Sequence, residues 1–257
     1  MIELVNVTKK FNIGTPDETT LFENFNFHVQ KGEFVSVIGS NGSGKTTMLN
    51  IICGSLPIES GKILLAGKDI SKLREFNRAK RIGRVFQDPQ KGSAANLTIL
   101  ENMALADNKN KRFGLGKAIS KKRIDYYRSL LEKCEMGLEN RLDVRVGSLS
   151  GGQRQALALV IANMSDIDIL ILDEHTAALD PKSSERVMQL TDKFVKDRGV
   201  TALMVTHNLR FAVEYGTRLI MMDKGQIVFD KNGEDKENTS IDEILGLFNQ
   251  ISIECGN

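Results

Sequence analysis

Gly39-Ser40-Asn41-Gly42-Ser43-Gly44-Lys45-Thr46-Thr47 follows directly on the apolar run Phe34 to Ile38 and leads into Thr46 to Ile52, which has helical spacing. Strand, glycine-rich loop and helix in that order are the context a phosphate-binding loop requires. The glycines let successive backbone N–H groups turn inward around an anion, and the helix start adds positive potential there. In this pattern Lys45 reaches the β and γ phosphates of a nucleoside triphosphate. The Thr46 hydroxyl ligates Mg²⁺, a hard cation that takes oxygen donors.

Outward from the loop, Asn24 to Val29 alternates with Phe25, Phe27 and Val29 on one face, and Lys31-Gly32 turns the chain into Phe34 to Ile38. These two runs read as paired strands. Ile63 to Ala66 and Ile82 to Phe86 read as short strands, and Ile99 to Ala106 and Lys121 to Met136 as helices. A polar stretch containing Asn108, Lys109, Asn110, Lys111, Arg112, Gly114 and Gly116 between those helices predicts an exposed loop, and its basic character over Lys109 to Lys122 reads as a solvated face. Beyond Gly151 come a helix face (Ala156, Leu157, Leu159, Val160, Met164), a buried strand (Ile167 to Leu172) and a helix from Lys182 to about Lys196. The strands Val200 to Thr206, Leu219 to Met222 and Ile227 to Phe229 follow, the last two around a Lys224-Gly225 turn. The alternation predicts an α/β fold with a largely parallel sheet. Residues 1–257 read as one domain, with a helical subdomain at 88–165 inserted in the core and a linker and short helix at 230–257.

The 257 residues, 41% hydrophobic and 26% charged, suffice to bury a core. A net charge of +2 is too weak a field to make nucleic acid the main partner. Met1 to Phe11 alternates polar and apolar residues, unlike a secretory signal, and no apolar run approaches the roughly 20 residues of a membrane helix. A cytosolic protein is expected. Cys53, Cys134 and Cys255 are far apart and outside metal-ligand spacing, which fits reduced thiols.

Ile169-Leu170-Ile171-Leu172-Asp173-Glu174 is an apolar strand ending in two carboxylates. Asp173 is placed to face the Mg²⁺ shell, leaving Glu174 to orient and deprotonate an attacking water. Leu149-Ser150-Gly151-Gly152-Gln153 puts a hydroxyl and two glycine N–H groups at another helix start, a second anion-binding end. One phosphate chain needs two helix termini only when gripped from both sides.

Together, Gly39 to Thr47, Leu149 to Gln153, and Asp173-Glu174 with Ala178-Leu179-Asp180 resemble the nucleotide-binding subunits of ATP-binding cassette (ABC) transporters, in order and spacing across nearly the whole chain. The resemblance implies the phosphate-loop ABC ATPase core, a mixed sheet flanked by helices with an antiparallel β subdomain. It also implies a head-to-tail dimer in which ATP sits between the phosphate loop of one subunit and Ser150, Gly151, Gly152 and Gln153 of the other. By the same resemblance Gln87 touches Mg²⁺ and water, His207 contacts the γ-phosphate, Asp180 reaches across the dimer and Phe11 stacks on adenine. Asp180 before Pro181 also suits a helix cap. His175 departs from the family pattern, where proline commonly follows the catalytic acid.

The function expected from this resemblance is an ATPase that powers a membrane transporter, an importer of amino-acid-type solutes, lying on the inner face of the cell membrane. Two copies of this chain, or one with a paralogue, would engage integral membrane permease subunits, and a solute-binding protein would act in the same system. The alternative is a soluble cassette ATPase of cytosolic complex or cofactor assembly.

Overall fold

The structure, a computed structural model, describes residues 1–109, 111 and 119–254. The expected loop positions Asn110, Arg112, Gly114 and Gly116, and Cys255, lie outside the described residues. In chain order the elements begin with β1 (Ile2–Phe11), β2 (Thr19–Val29), β3 (Phe34–Gly39), α1 (Lys45–Cys53), β4 (Ser60–Leu65), β5 (Lys68–Asp69) and α2 (Glu75–Arg78). Next come β6 (Ile82–Val85), α3 (Ile99–Asn108), α4 (Ile124–Glu132), α5 (Gly151–Asn163), β7 (Ile169–Asp173) and α6 (Pro181–Arg198). The chain continues with β8 (Thr201–Val205), α7 (Leu209–Glu214), β9 (Arg218–Asp223), β10 (Gln226–Asn232), α8 (Gly233–Glu237) and α9 (Ile241–Glu254). Two units are compact in themselves: Met1–Arg78 with Gly199–Asn257, and Ala79–Arg198.

In the first unit β2, β1, β4 and β5 form an antiparallel sheet in that order. β3 pairs in parallel with both β8 and β9, and β10 adds to β9 in the antiparallel sense, so this sheet is mixed. The expected pairing of Asn24 to Val29 with Phe34 to Ile38 is therefore wrong. Gly32, at φ 77°, turns the chain out of one sheet and into the other. The reason is legible in the burial: β2 alternates between buried and exposed and suits a sheet with one wet face, whereas β3 is buried at all of its positions and needs cover on both faces.

Lys224 (φ 43°) and Gly225 (φ 77°) make the tight β9–β10 turn with left-handed backbone at both positions, as two-residue hairpins favour. A Cβ on Gly225 would lie 1.8 Å from the Leu21 carbonyl oxygen, so no other residue fits. Asp230 to Ser240, expected as a linker, instead carries the end of β10 and α8. Asn232 pairs with Arg218 of β9, and the buried Lys236 donates to the Val213 carbonyl. An edge strand with one wet face reads as loop in sequence, because its polar residues outnumber its apolar ones. α9 then lays Ile244, Leu247 and Phe248 against Ile38, Ala212, Leu219 and Met221.

In the second unit β6 and β7 pair in parallel, with Val85 opposite Leu172. α5 runs close to α6 at its start: a Cβ on Gly152 would come within 3.0 Å of Ser183, so the glycine permits the approach. The helix expected over Lys121 to Met136 is a 3₁₀ turn, Lys121–Arg123, followed by the shorter α4. Cys134 lies buried just beyond α4, where burial and then the Glu139 charge push its thiol up to about 12, so it stays protonated and unreactive.

α3 and α4 are joined at Asp107. Its carboxylate accepts from Arg123 Nη2 at 2.6 Å, Arg123 Nε at 2.9 Å and the Tyr127 hydroxyl at 3.0 Å. Burial works to raise this carboxyl's pKa, but these donors and Lys111 outweigh it and hold the group below the ordinary aspartate range. The unfolded chain then binds the proton more tightly, so the stabilisation is present above about pH 4 and fades as acid titrates the folded carboxyl. Asp107→Asn is expected to lower stability at pH 7 by about 1–2 kcal/mol, discounted for the partly exposed Arg123. Urea unfolding at pH 7 and pH 3 checks it: the gap between wild type and variant must shrink in acid.

Candidate functional site

β3 ends at Gly39, and the chain turns through Gly39 (φ 149°), Gly42 (φ 81°) and Gly44 (φ 105°) into α1. A Cβ on Gly39 would lie 2.2 Å from the Met222 carbonyl oxygen and one on Gly44 2.9 Å from the Phe22 ring, whereas Gly42 faces open space. The two flanking glycines are thus required by packing and the middle one by backbone conformation. Gly44 caps α1 without any side-chain hydrogen bond, which leaves the first N–H groups of the helix to an anion or water.

Lys45 is buried, and its Nζ lies across the loop, donating to the carbonyls of Gly39 and Ser40 at 2.8 Å each and to Ser43 Oγ at 3.3 Å. The loop is further held by Gly225 N–H to the Ser43 carbonyl (3.0 Å) and by Ser40 Oγ to Asp223 (3.1 Å). Thr46 is exposed on the first turn of α1, as a hydroxyl ligand must be, and Asn41 is exposed while Thr47 is half-buried. In the same unit Phe11 ends β1 half-buried with the Lys9 ammonium 5.4 Å from its ring, and His207 is exposed two residues past β8.

In the second unit β7 delivers Asp173 as its last residue, with Glu174 just beyond. Asp173 is buried and accepts from Arg84 Nη2 at 2.7 Å, a contact the sequence reading missed. Register explains it: Arg84 of β6 stands opposite Ile171, and Asp173 lies two residues along on the same face of β7. Glu174 is half-buried at φ 46°, a left-handed backbone that costs a non-glycine residue about 1–3 kcal/mol and marks constraint by its surroundings. His175 is fully buried, and burial pulls its imidazole down to about 4, so it is neutral at physiological pH. Gln87 is exposed two residues beyond β6.

Ser150 caps α5 in a reciprocal box: its Oγ accepts from Gln153 N–H, and the Gln153 side chain accepts from Ser150 N–H, each at 3.3 Å. Arg141 also donates to Gln153 Oε1, and Gln153 Nε2 donates to the Met136 carbonyl. Ser150 and Gly151 are exposed, presenting the start of this helix to solvent. Asp180 caps α6 by accepting from Ser183 N–H at 3.0 Å, and the Ser183 bonds hold its carboxyl below the ordinary range. The first unit thus carries a helix start without a side-chain cap behind glycines at α1, and the second an exposed start boxed by Ser150 and Gln153 at α5.

A family model described as ABC transporter matches residues 22–177. The chain is 46% identical to a tyrosine transport ATP-binding protein of Clostridioides difficile (strain R20291), over 96% of this chain and 98% of that protein. It is 32% identical to the phosphonates import ATP-binding protein PhnC of Alcaligenes faecalis, over 98% of this chain and 91% of that one. Among solved structures, a dimeric post-hydrolysis state of the ATP-binding cassette MJ0796 bound to ADP and Pi is similar at 31% identity and a TM-score of 0.77, covering 90% of this chain and 98% of that one. Phosphate loop, terminal carboxylates and second capped helix start thus lie in a chain that belongs to the ABC transporter family, as an ATP-binding, ATP-hydrolysing subunit.

Proposed function

We propose that this chain drives an importer for amino-acid-type solutes by Mg-ATP-dependent dimerisation on the inner face of the cell membrane, two copies of the chain engaging integral membrane permease subunits served by a solute-binding protein. The observation that carries the reading is the pair of helix starts, one without a side-chain cap behind glycines at α1 and one boxed by Ser150 and Gln153 at α5. The first takes the triphosphate of one ATP and the second closes on the γ-phosphate of the ATP held by the other subunit. Hydrolysis removes that differential contact, which is what lets ATP move a machine. The 46% identity to a tyrosine transport protein over nearly the whole of both chains supports the solute class. The dimeric ADP-and-Pi state of MJ0796 supports the assembly.

The donor set fits Mg²⁺: the Thr46 hydroxyl, the Asp173 carboxylate and the Gln87 amide oxygen are all oxygen donors, which suit a hard cation that keeps several of its waters. When bound, the ion neutralises charge on the β and γ phosphates. Lys45 trades its loop carbonyls for phosphate oxygens, Glu174 takes a proton from the attacking water, and His207 contacts the γ-phosphate. Asp180 acts across the dimer while capping α6, and Phe11 offers a ring face to adenine, a contact worth about 1–3 kcal/mol. The helical subdomain at 88–165 carries Ser150 to Gln153. Among the described residues no helix is long and apolar enough to cross a membrane.

Tagged protein drawn from detergent-solubilised membranes of the native cell is expected to bring an integral membrane permease with it, and loss of the gene to abolish uptake of labelled tyrosine or a related amino acid. A chain absent from the membrane fraction, with uptake of every amino acid unchanged in the deletion strain, would refute the importer.

A further inference from the structure

His175 follows Glu174 directly and is 2% exposed. Its Nε2 lies 3.1 Å from Thr191 Oγ1, inside α6. The Thr191 hydroxyl donates its one proton to the Val187 carbonyl at 2.8 Å, which leaves its oxygen to accept from the ring. The tautomer is thereby set: Nε2 carries the hydrogen. Three further bonds involving side chains join the same segment to the same helix, Ser184 Oγ to the Thr176 (3.0 Å) and Leu179 (3.4 Å) carbonyls and Ser183 N–H to Asp180 (3.0 Å), but all act farther along the chain. The His175 bond is a side-chain tie one residue from Glu174, whose left-handed backbone needs its surroundings to hold it.

We propose that His175, through its Nε2–H bond to Thr191, is a positioning residue that holds the Glu174 carboxylate where it can meet the attacking water. This rests on Glu174 being the general base. The anchor is well placed for such work, because Thr191 lies within an 18-residue helix and is itself wholly buried. The Glu174 carbonyl also accepts from Ala177 N–H at 2.9 Å, so loss of the ring's bond shifts the peptide after Glu174 without freeing it, and the carboxylate moves with that shift. Displacements of about 1 Å at a reacting group cost up to ~100-fold in rate. Nucleotide affinity, set by other residues, is untouched.

Thr191→Val keeps the shape and removes the acceptor, while Thr191→Ser keeps the hydroxyl. In the purified full-length chain with Mg-ATP, Thr191→Val is expected to lower kcat by about 10-fold or more with ATP affinity held within about 2-fold, and Thr191→Ser to restore kcat to within about 2-fold. His175→Gln, which keeps an N–H donor at similar reach, is expected to retain more turnover than His175→Ala. A second readout does not depend on activity. With ¹⁵N-labelled histidine, of which the chain has three, the signal lost in His175→Gln must show a protonated Nε2 and a bare Nδ1 in the wild type. A protonated Nδ1, a normal kcat in Thr191→Val, equal damage from Val and Ser, or a parallel loss of ATP affinity each overturns the proposal. Glu174→Gln run alongside separates the layers. If it is inert while Thr191→Val is normal, the positioning role alone falls; if it hydrolyses at the wild-type rate, the assignment of the base falls and the positioning role with it.

Discussion

Replacing Glu174 with Gln leaves ATP binding intact and slows hydrolysis at least ~100-fold, the factor that loss of a general base commonly costs. The amide keeps the size and hydrogen-bonding reach of the carboxylate but cannot accept the proton that the water must lose. Since the substitution leaves β7 and the Arg84–Asp173 pair untouched, the fold and the affinity for nucleotide persist. Retained affinity with blocked turnover should trap the closed state, so the variant is expected to run as a dimer in ATP and as a monomer without it. Single-turnover hydrolysis and light scattering in Mg-ATP measure the two effects. Turnover near the wild-type rate would remove Glu174 from the role, and a variant that binds ATP yet stays monomeric at all concentrations would remove the shared nucleotide.

Lys45→Ala acts one step earlier, on binding. The ammonium is held over the loop by the Gly39 and Ser40 carbonyls, so it is already ordered near the phosphate position and little entropy is lost when ATP takes those carbonyls' place. Charge-assisted bonds from one ammonium to two phosphate groups contribute about 3 kcal/mol, so ATP affinity is expected to fall at least ~100-fold. Calorimetric titration with ATP checks this, with circular dichroism confirming that the loop's loss of its cross-link has not unfolded the chain. Unchanged affinity would contradict the phosphate-loop reading.

Much of the site was legible because its parts are local. A phosphate loop is a run of consecutive residues whose backbone does the binding, so spacing and flanking pattern suffice, and Gly39, Gly42 and Gly44 each take the positive φ that the pattern implies. The capping box was equally local: Ser150 and Gln153 lie three residues apart and meet within one helical turn. Asp180 before Pro181 became the cap of α6 for the same reason. Contacts between distant segments were not legible. Arg84 and Asp173 are 89 residues apart and meet because the β6–β7 register puts Arg84 opposite Ile171. Nothing in the sequence around His175 names Thr191, 16 residues on and inside another element.

Amino-acid order alone therefore determined the α/β class, the phosphate loop, the two terminal acids and the second helix start, because backbone conformation and side-chain spacing within a few residues decide each of them. Which strands share a sheet, and which partners Asp173 and His175 meet, were decided by tertiary structure. β2 and β3 adjoin in sequence yet part company at Gly32, since one has a wet face to show and the other has none. Burial on both faces can be met only by segments remote in the chain, and no local pattern specifies which segments those are.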